Sequence, residues 1–237
     1  MAYGRDDILD THKDYKETIN LWEFFIRSFN GGYDYMIGQY LNRYNLELDN
    51  EFNQRLANTP CDNHCKNIVQ IYSSFLFRVK PSRDFGAMAE EPSLESFLKD
   101  ADLDGNSFNS VIKQAQNYSS IYGHCFLILD KPKVTTNTRA DELEQDIRPY
   151  VSIVTPENVL DWNFKREING KYSLDYLKIR EDVDRNGGTY MRLWYPDRVD
   201  TVYMKDDRTE PTIIDTADNL IGKIPAVILY NAKSHKR

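Results

Sequence analysis

The spacing of apolar residues changes at Gly123, and that change constrains the fold more than any other feature of the chain. Ahead of it Phe108, Val111, Ile112, Ala115, Tyr118 and Tyr122 recur at mostly three- and four-residue steps, which places them on one helical face. Behind it, residues 124–130 and 148–162 hold short apolar runs rich in β-branched and aromatic side chains, which predict strands. A chain that turns from helical to extended at one glycine must bury the faces of both layers against that point. The stretch 122–162 is therefore the expected meeting place of a helical layer and a sheet.

Upstream, Tyr15, Ile19, Trp22, Ile26 and Phe29 step along one helical face, which Gly31-Gly32 closes. Tyr33, Ile37, Tyr40 and Leu41 predict a second, shorter helix. Asp49 is placed to cap a third through Phe52 and Leu56. A fourth carries Cys61, Cys65, Ile68, Tyr72 and Leu76 on one face and ends at Lys80-Pro81, because the residue before proline avoids the helical region. Residues 82–92 predict a loop, Ser93 opens a short helix with Leu94, Phe97 and Leu98, and Asp104-Gly105-Asn106 is a turn. The polar residues 131–146 predict a mobile hairpin tip. Beyond Trp162, turn signals at Asn169-Gly170, Asn186-Gly187-Gly188, Pro196-Asp197 and Asp206-Asp207 part a series of strands, of which the last is 224–230. The expectation is an α+β protein. A mainly helical layer, 1–122, packs on a mostly antiparallel β-meander, 123–237, within one domain.

The residues offer little to an enzyme. Cys61, His64 and Cys65 share a helical face and could approach one metal, but a structural zinc site needs a fourth ligand and no second pair stands at finger spacing. They are weak metal candidates, and as small hydrophobes the two cysteines also suit a buried helix face. Cys125 could be paired with His12, His64 or His235 as a nucleophile, yet it sits inside Phe126-Leu127-Ile128-Leu129, where burial keeps a thiol inert. Asp102, Asp104 and Asn106 imitate the start of a calcium loop, but the glycine falls too early and no glutamate closes it. The acids Asp141, Glu142, Glu144 and Asp146 fit a solvated face. Trp22, Trp162 and Trp194 are expected to anchor the core. No catalytic residue, cofactor or metal is assigned.

A net charge of −7 argues against a sequence-independent nucleic-acid clamp, which needs a basic surface. Three cysteines in a chain this long do not make a disulfide framework, and a reducing compartment is expected. No apolar run approaches the roughly 20 residues of a membrane helix, and the N-terminus lacks the apolar core of a signal peptide; these features predict a cytosolic protein. The 16 tyrosines suit half-buried and interface positions, because each ring carries one polar tip.

Several passages follow one another in a set order: Leu21-Trp22-Glu23-Phe24-Phe25 through Gly31-Gly32-Tyr33, then Phe75-Leu76-Phe77-Arg78-Val79-Lys80-Pro81, then Tyr122-Gly123-His124-Cys125-Phe126. Thr155-Pro156-Glu157-Asn158-Val159-Leu160-Asp161-Trp162 is the most specific, and Gly222-Lys223-Ile224-Pro225-Ala226-Val227 is the next. This succession resembles the N-terminal part of a tailed-bacteriophage portal protein. The resemblance spans about Tyr15 to Tyr230 and includes no catalytic motif. It implies a homo-oligomeric ring, typically a dodecamer, at one capsid vertex of the virion, with double-stranded DNA passing through without sequence-specific contact. It implies as partners the large terminase motor, a head-tail adaptor, the major capsid protein and scaffolding protein. The matching region is the wing. The stem, clip and crown that follow it in the family are missing, so the chain is expected to be either a fragment or a truncated relative. A non-enzymatic adaptor or baseplate-type virion protein fits the same mixed layers. An enzyme built on Cys61, His64, Cys65 or Cys125 is the third class.

Overall fold

In the computed structural model, which describes residues 3–38, 40–60, 62–132, 138–185, 187–206 and 208–232, the chain builds a helical layer and then two antiparallel sheets. Cys61, His235, Asn186, Asp207 and residues 133–137 of the predicted hairpin tip lie outside the described residues. The helical layer holds α1 (Arg5–Leu9), α2 (Lys13–Asn30), α3 (Gly32–Ile37), α4 (Asp49–Asn58), α5 (His64–Leu76), α6 (Pro92–Lys99) and α7 (Phe108–Tyr122). Gly123 caps α7 with φ of 89°, a left-handed turn that glycine adopts at little cost, and β1 (His124–Asp130) leaves from it. The predicted change of period is a sharp corner in the backbone.

The helix α8 (Arg139–Glu144) occupies part of the predicted hairpin tip. Thr138 Oγ1 accepts from the Asp141 amide at 3.2 Å, and the acids Asp141 and Glu142 stand in the first turn, where the helix dipole favours negative charge. Lys131 ties it down through Glu142 at 2.7 Å. Of the acidic run, Asp141 and Glu142 thus begin a helix, Glu144 ends it and Asp146 lies beyond it.

Strands β2 (Tyr150–Val154) and β8 (Ala226–Tyr230) flank β1 in a three-stranded sheet. The other sheet is an antiparallel meander of β3 (Val159–Arg166), β4 (Tyr172–Val183), β5 (Thr189–Trp194), β6 (Arg198–Met204) and β7 (Thr212–Asp218) in sequence order. Two features differ from the simple meander. The run 148–162 divides at a 3₁₀ turn, Pro156–Asn158, which hands the chain from the first sheet to the second. And β8 returns to β1, His124 facing Tyr230 and Ile128 facing Ala226, while the Asn231 amide donates to the Gly123 carbonyl at 3.0 Å. β1 is the middle strand, and its run of buried residues needs a neighbour on each edge.

Three apolar clusters join the layers. Tyr15 and Trp22 of α2 and Ile121 and Tyr122 of α7 pack on Leu160, Met191, Leu193 and Val202 of the meander. Phe126 and Ile128 of β1 face Val159, Leu177, Ile179 and Trp194 between the two sheets. Ala101, Val111 and Val151 fix α7 to β2. Each fully buried aliphatic or aromatic side chain contributes about 1.5–3 kcal/mol, and Tyr122 and Phe126, on either side of the Gly123 corner, are both buried in these joints. Helix α1 was not expected: five residues are too few to show a period, yet Ile8 is among the most buried side chains in the core.

Candidate functional site

The turn between the two sheets gathers the three layers. The Glu157 carbonyl accepts from Tyr15 Oη of α2 at 3.0 Å and from Arg180 Nη2 of β4 at 3.2 Å. Glu157 Oε1 accepts from Tyr122 Oη of α7 at 3.0 Å. Asn158 Oδ1 accepts a further Arg180 bond at 3.2 Å, and Asn158 Nδ2 donates to Thr155 Oγ1 at 3.1 Å, which closes the turn. Pro156 is buried at its start. Burial and the Glu157 carboxylate both hold the Tyr122 phenol above its ordinary range, so it stays a donor.

Beside this turn runs an ion network between the sheets. Arg192 of β5 binds Asp130 of β1 through Nη1 and Glu181 of β4 through Nε at 2.9 Å, and Tyr150 Oη donates to Asp130 at 3.2 Å. Burial raises the Glu181 carboxyl, and Arg192 opposes that shift. A cleft of about 790 Å³ opens between the helices and both sheets, lined in part by Tyr118, Tyr122, Glu157, Arg180, Arg192 and Trp194. Its described titratable groups include neither histidine nor cysteine, and Asp130, Glu157 and Glu181 are each held by the partners just named.

A third group ties the N-terminus to the meander. Lys178 of β4 is fully buried, and its amine donates to the carbonyls of Asp7 at 3.1 Å, Ile8 at 3.3 Å and Asp10. These are carbonyls at the open end of α1, so the lysine caps the helix from below. Burial pulls the amine's pKa down, and Asp161, Asp10 and Asp7 oppose that pull. Tyr3 donates to Asp200, a buried carboxylate that also accepts from Arg198 Nε at 3.1 Å and Thr216 Oγ1 at 2.8 Å. The His12 amide donates to the Leu160 carbonyl at 2.9 Å.

The cysteine and histidine candidates fall at separate places. Cys125 is buried, donates to the Ala115 carbonyl at 3.3 Å, and has its thiol pushed up to about 11 by burial. His12 caps α2, its Nδ1 accepting from the Asp14 amide at 3.1 Å, and its ring stacks on Trp162 at 4.1 Å. His64 and Cys65 stand exposed on the first turn of α5. The expected burial of Cys65 is overturned: it stands exposed in the first turn of α5, and the helix is buried only two turns further along, at Ser73. Trp22 and Trp194 are core residues as expected, and Trp162 is half-buried. Asp102 Oδ1 accepts from the amides of Asp104 at 3.0 Å and Asn106 at 3.1 Å, so it closes a turn.

Sequence reasoning did not single out Lys178, Arg192, Arg180 or Glu157. The signal was a charge inside an apolar strand run, as in Leu177-Lys178-Ile179, where a cation survives only if its burial is met by acceptors. The Pro156-Glu157-Asn158 turn, by contrast, lies in the passage that stood out most in the sequence.

A model of the family described as "Phage portal protein, SPP1 Gp6-like" matches residues 25–236. No curated protein matches the chain at a significant level.

Proposed function

The chain belongs to the SPP1 Gp6-like family of phage portal proteins, and we propose that it supplies the wing of a portal ring at the capsid vertex of the virion. The family is structural, and membership implies an oligomeric ring associated with capsid and DNA. The match over residues 25–236 is the observation that carries the reading. In it, residues 1–122 and 123–237 are two parts of one wing domain, and the ring is a dodecamer. The ring is the conduit through which double-stranded DNA is packaged and ejected. It is also the platform on which the large terminase motor, and later a head-tail adaptor, are seated, with the major capsid protein and scaffolding protein around it.

The geometry suits a part that keeps its shape under load. The Glu157 turn and the Asp130–Arg192–Glu181 network cross-link the layers with bonds between elements far apart in sequence. A net charge of −7 suits a conduit wall, because each basic contact would add affinity for the phosphates sliding past. The role is mechanical, and no bond chemistry is assigned to Cys61, His64 or Cys65. Electron microscopy of the protein purified from infected or expressing cells should show rings with a central hole. A compact monomer at high concentration counts against the reading.

A further inference from the structure

Helix α5 presents its apolar side to solvent. Ile68, Ile71, Tyr72, Phe75 and Leu76, continued by Val79, are each more than half exposed. Successive residues of this set lie three or four apart or adjacent, so they form one stripe. The helix meets the body on its other side, where Ser73 is buried. A stripe of six large side chains amounts to several hundred Å², roughly the size that marks a contact surface on a monomer. Its charge is one-sided. Residues 63–83 carry Lys66, Arg78, Lys80 and Arg83 and no acid, although the chain as a whole is acidic. Lys66, Arg78 and Lys80 are exposed beside the stripe.

This pattern selects among occupants. A two-fold pairing of the stripe with itself would set Lys66 and Arg78 of one copy against the same cations of the other, and like charges brought together at an interface oppose it. A head-to-tail contact has no such conflict, because the stripe meets a different surface. The chain offers one rich in acids: Asp6, Asp7, Asp10 and Asp161 surround a shallow hollow at the exposed Leu9 of α1, with Asp6 also meeting Arg5 at 3.1 Å and Asp10 meeting Lys16 at 2.6 Å. Repeated head-to-tail contact closes a ring when its rotation divides a full turn without a rise along the axis.

We propose that the apolar face of α5 is one side of the subunit contact in the ring, seated on the acidic hollow around Leu9 of a second copy of this chain. The proposal rests on the ring reading above and names the faces that make it.

The test follows the assembly state of the intact chain by mass photometry and sedimentation over a concentration series. Phe75→Glu, at an exposed position, should leave the circular dichroism spectrum unchanged and weaken self-association by about 30-fold or more, the loss expected at an interface hot spot. Ile168→Glu, at a fully exposed site on the β3–β4 hairpin, should assemble like the unsubstituted chain. Asp6→Lys with Leu9→Lys should also stop assembly. Mixing that variant with Phe75→Glu should give a one-to-one dimer that grows no further, because each partner keeps one intact face. If Phe75→Glu forms rings as the unsubstituted chain does, the α5 assignment is wrong and the ring stands. If both variants are monomeric and their mixture stays so, the Leu9 hollow is not the mate. An unsubstituted chain that remains monomeric throughout, or that instead holds duplex DNA through the α5 face, overturns the proposal together with the ring reading.

Discussion

At Lys178 the alternation of strand β4 places a cation where an apolar side chain belongs, and three backbone carbonyls of the N-terminal segment answer it. Lys178→Met keeps the length of the side chain and removes the donors. Hydrogen bonds to charged groups contribute about 1.5–3 kcal/mol each, partly offset by relief of the buried charge. A loss of roughly 2–3 kcal/mol in urea unfolding is expected on that basis, and an unchanged midpoint would show that the amine does not bind α1. His124 links stability to pH. Its ring lies among Trp22, Phe126 and Tyr230, and burial lowers its pKa below 6.5. The folded state therefore binds the proton less readily than the unfolded chain. Its contribution is fully present above the unfolded value and is lost as pH falls through the folded one. The urea midpoint of the chain should fall relative to that of His124→Phe between about pH 7.5 and about pH 5.5; parallel pH profiles would remove His124 as the cause. The two described cysteines should separate in the same way: thiol reagents label Cys65 at once and Cys125 only on unfolding, as peptide mapping can read.

Among the elements, the corner between α7 and β1 was the one most plainly written in the sequence, and it depends on one dihedral. Gly123 has φ of 89° and no atom within 4 Å of where a Cβ would stand. Gly123→Ala therefore costs conformation alone, about 1–2 kcal/mol, which lowers Tm by roughly 2–8 °C in a chain of this size. A larger fall would point to steric conflict. The helical faces of α2 and α7 were equally legible, because Tyr15, Trp22, Val111 and Tyr122 bury the sides their spacing predicts. Three things were not. The period of 224–230 announces a strand but not its partner, and only the middle position of β1 explains why β8 leaves the meander. The division of 148–162 between two sheets turns on three residues, Pro156–Asn158. And the apolar face of α5 was visible in Ile68, Tyr72 and Leu76, while nothing in a single sequence says whether such a face is covered by its own chain or by another. The Glu157 hub lay in a conspicuous passage, but its bonds to Tyr15, Tyr122 and Arg180 join residues far apart in sequence, which no local pattern records.

For the molecule as a whole, the N-terminal strap is the part whose role is hardest to guess from its size. Its helix has five residues, and the region matched by the family begins later, at residue 25. Yet Ile8 completes the cluster that holds the helical layer to the meander, Tyr3 reaches Asp200, and the strap supplies the three carbonyls that accept from Lys178. Removing residues 1–11 should then cost on the order of 5 kcal/mol, from the lost burial of one aliphatic side chain and the lost charged hydrogen bonds. That is a large share of the roughly 5–15 kcal/mol by which domains are stable. A loss of stability alone does not separate these causes, but the lysine does. With the strap present, Lys178→Met removes bonds that hold the fold. Without it, the same substitution removes a cation stranded in an apolar layer, which is costly to bury unpaired. Lys178→Met should therefore destabilise the full chain and stabilise the chain that starts at His12. Urea unfolding followed by tryptophan fluorescence in the four backgrounds reads the sign directly. The same sign in both would mean that the strap and the lysine act independently, and that the N-terminal segment only covers the meander without closing it.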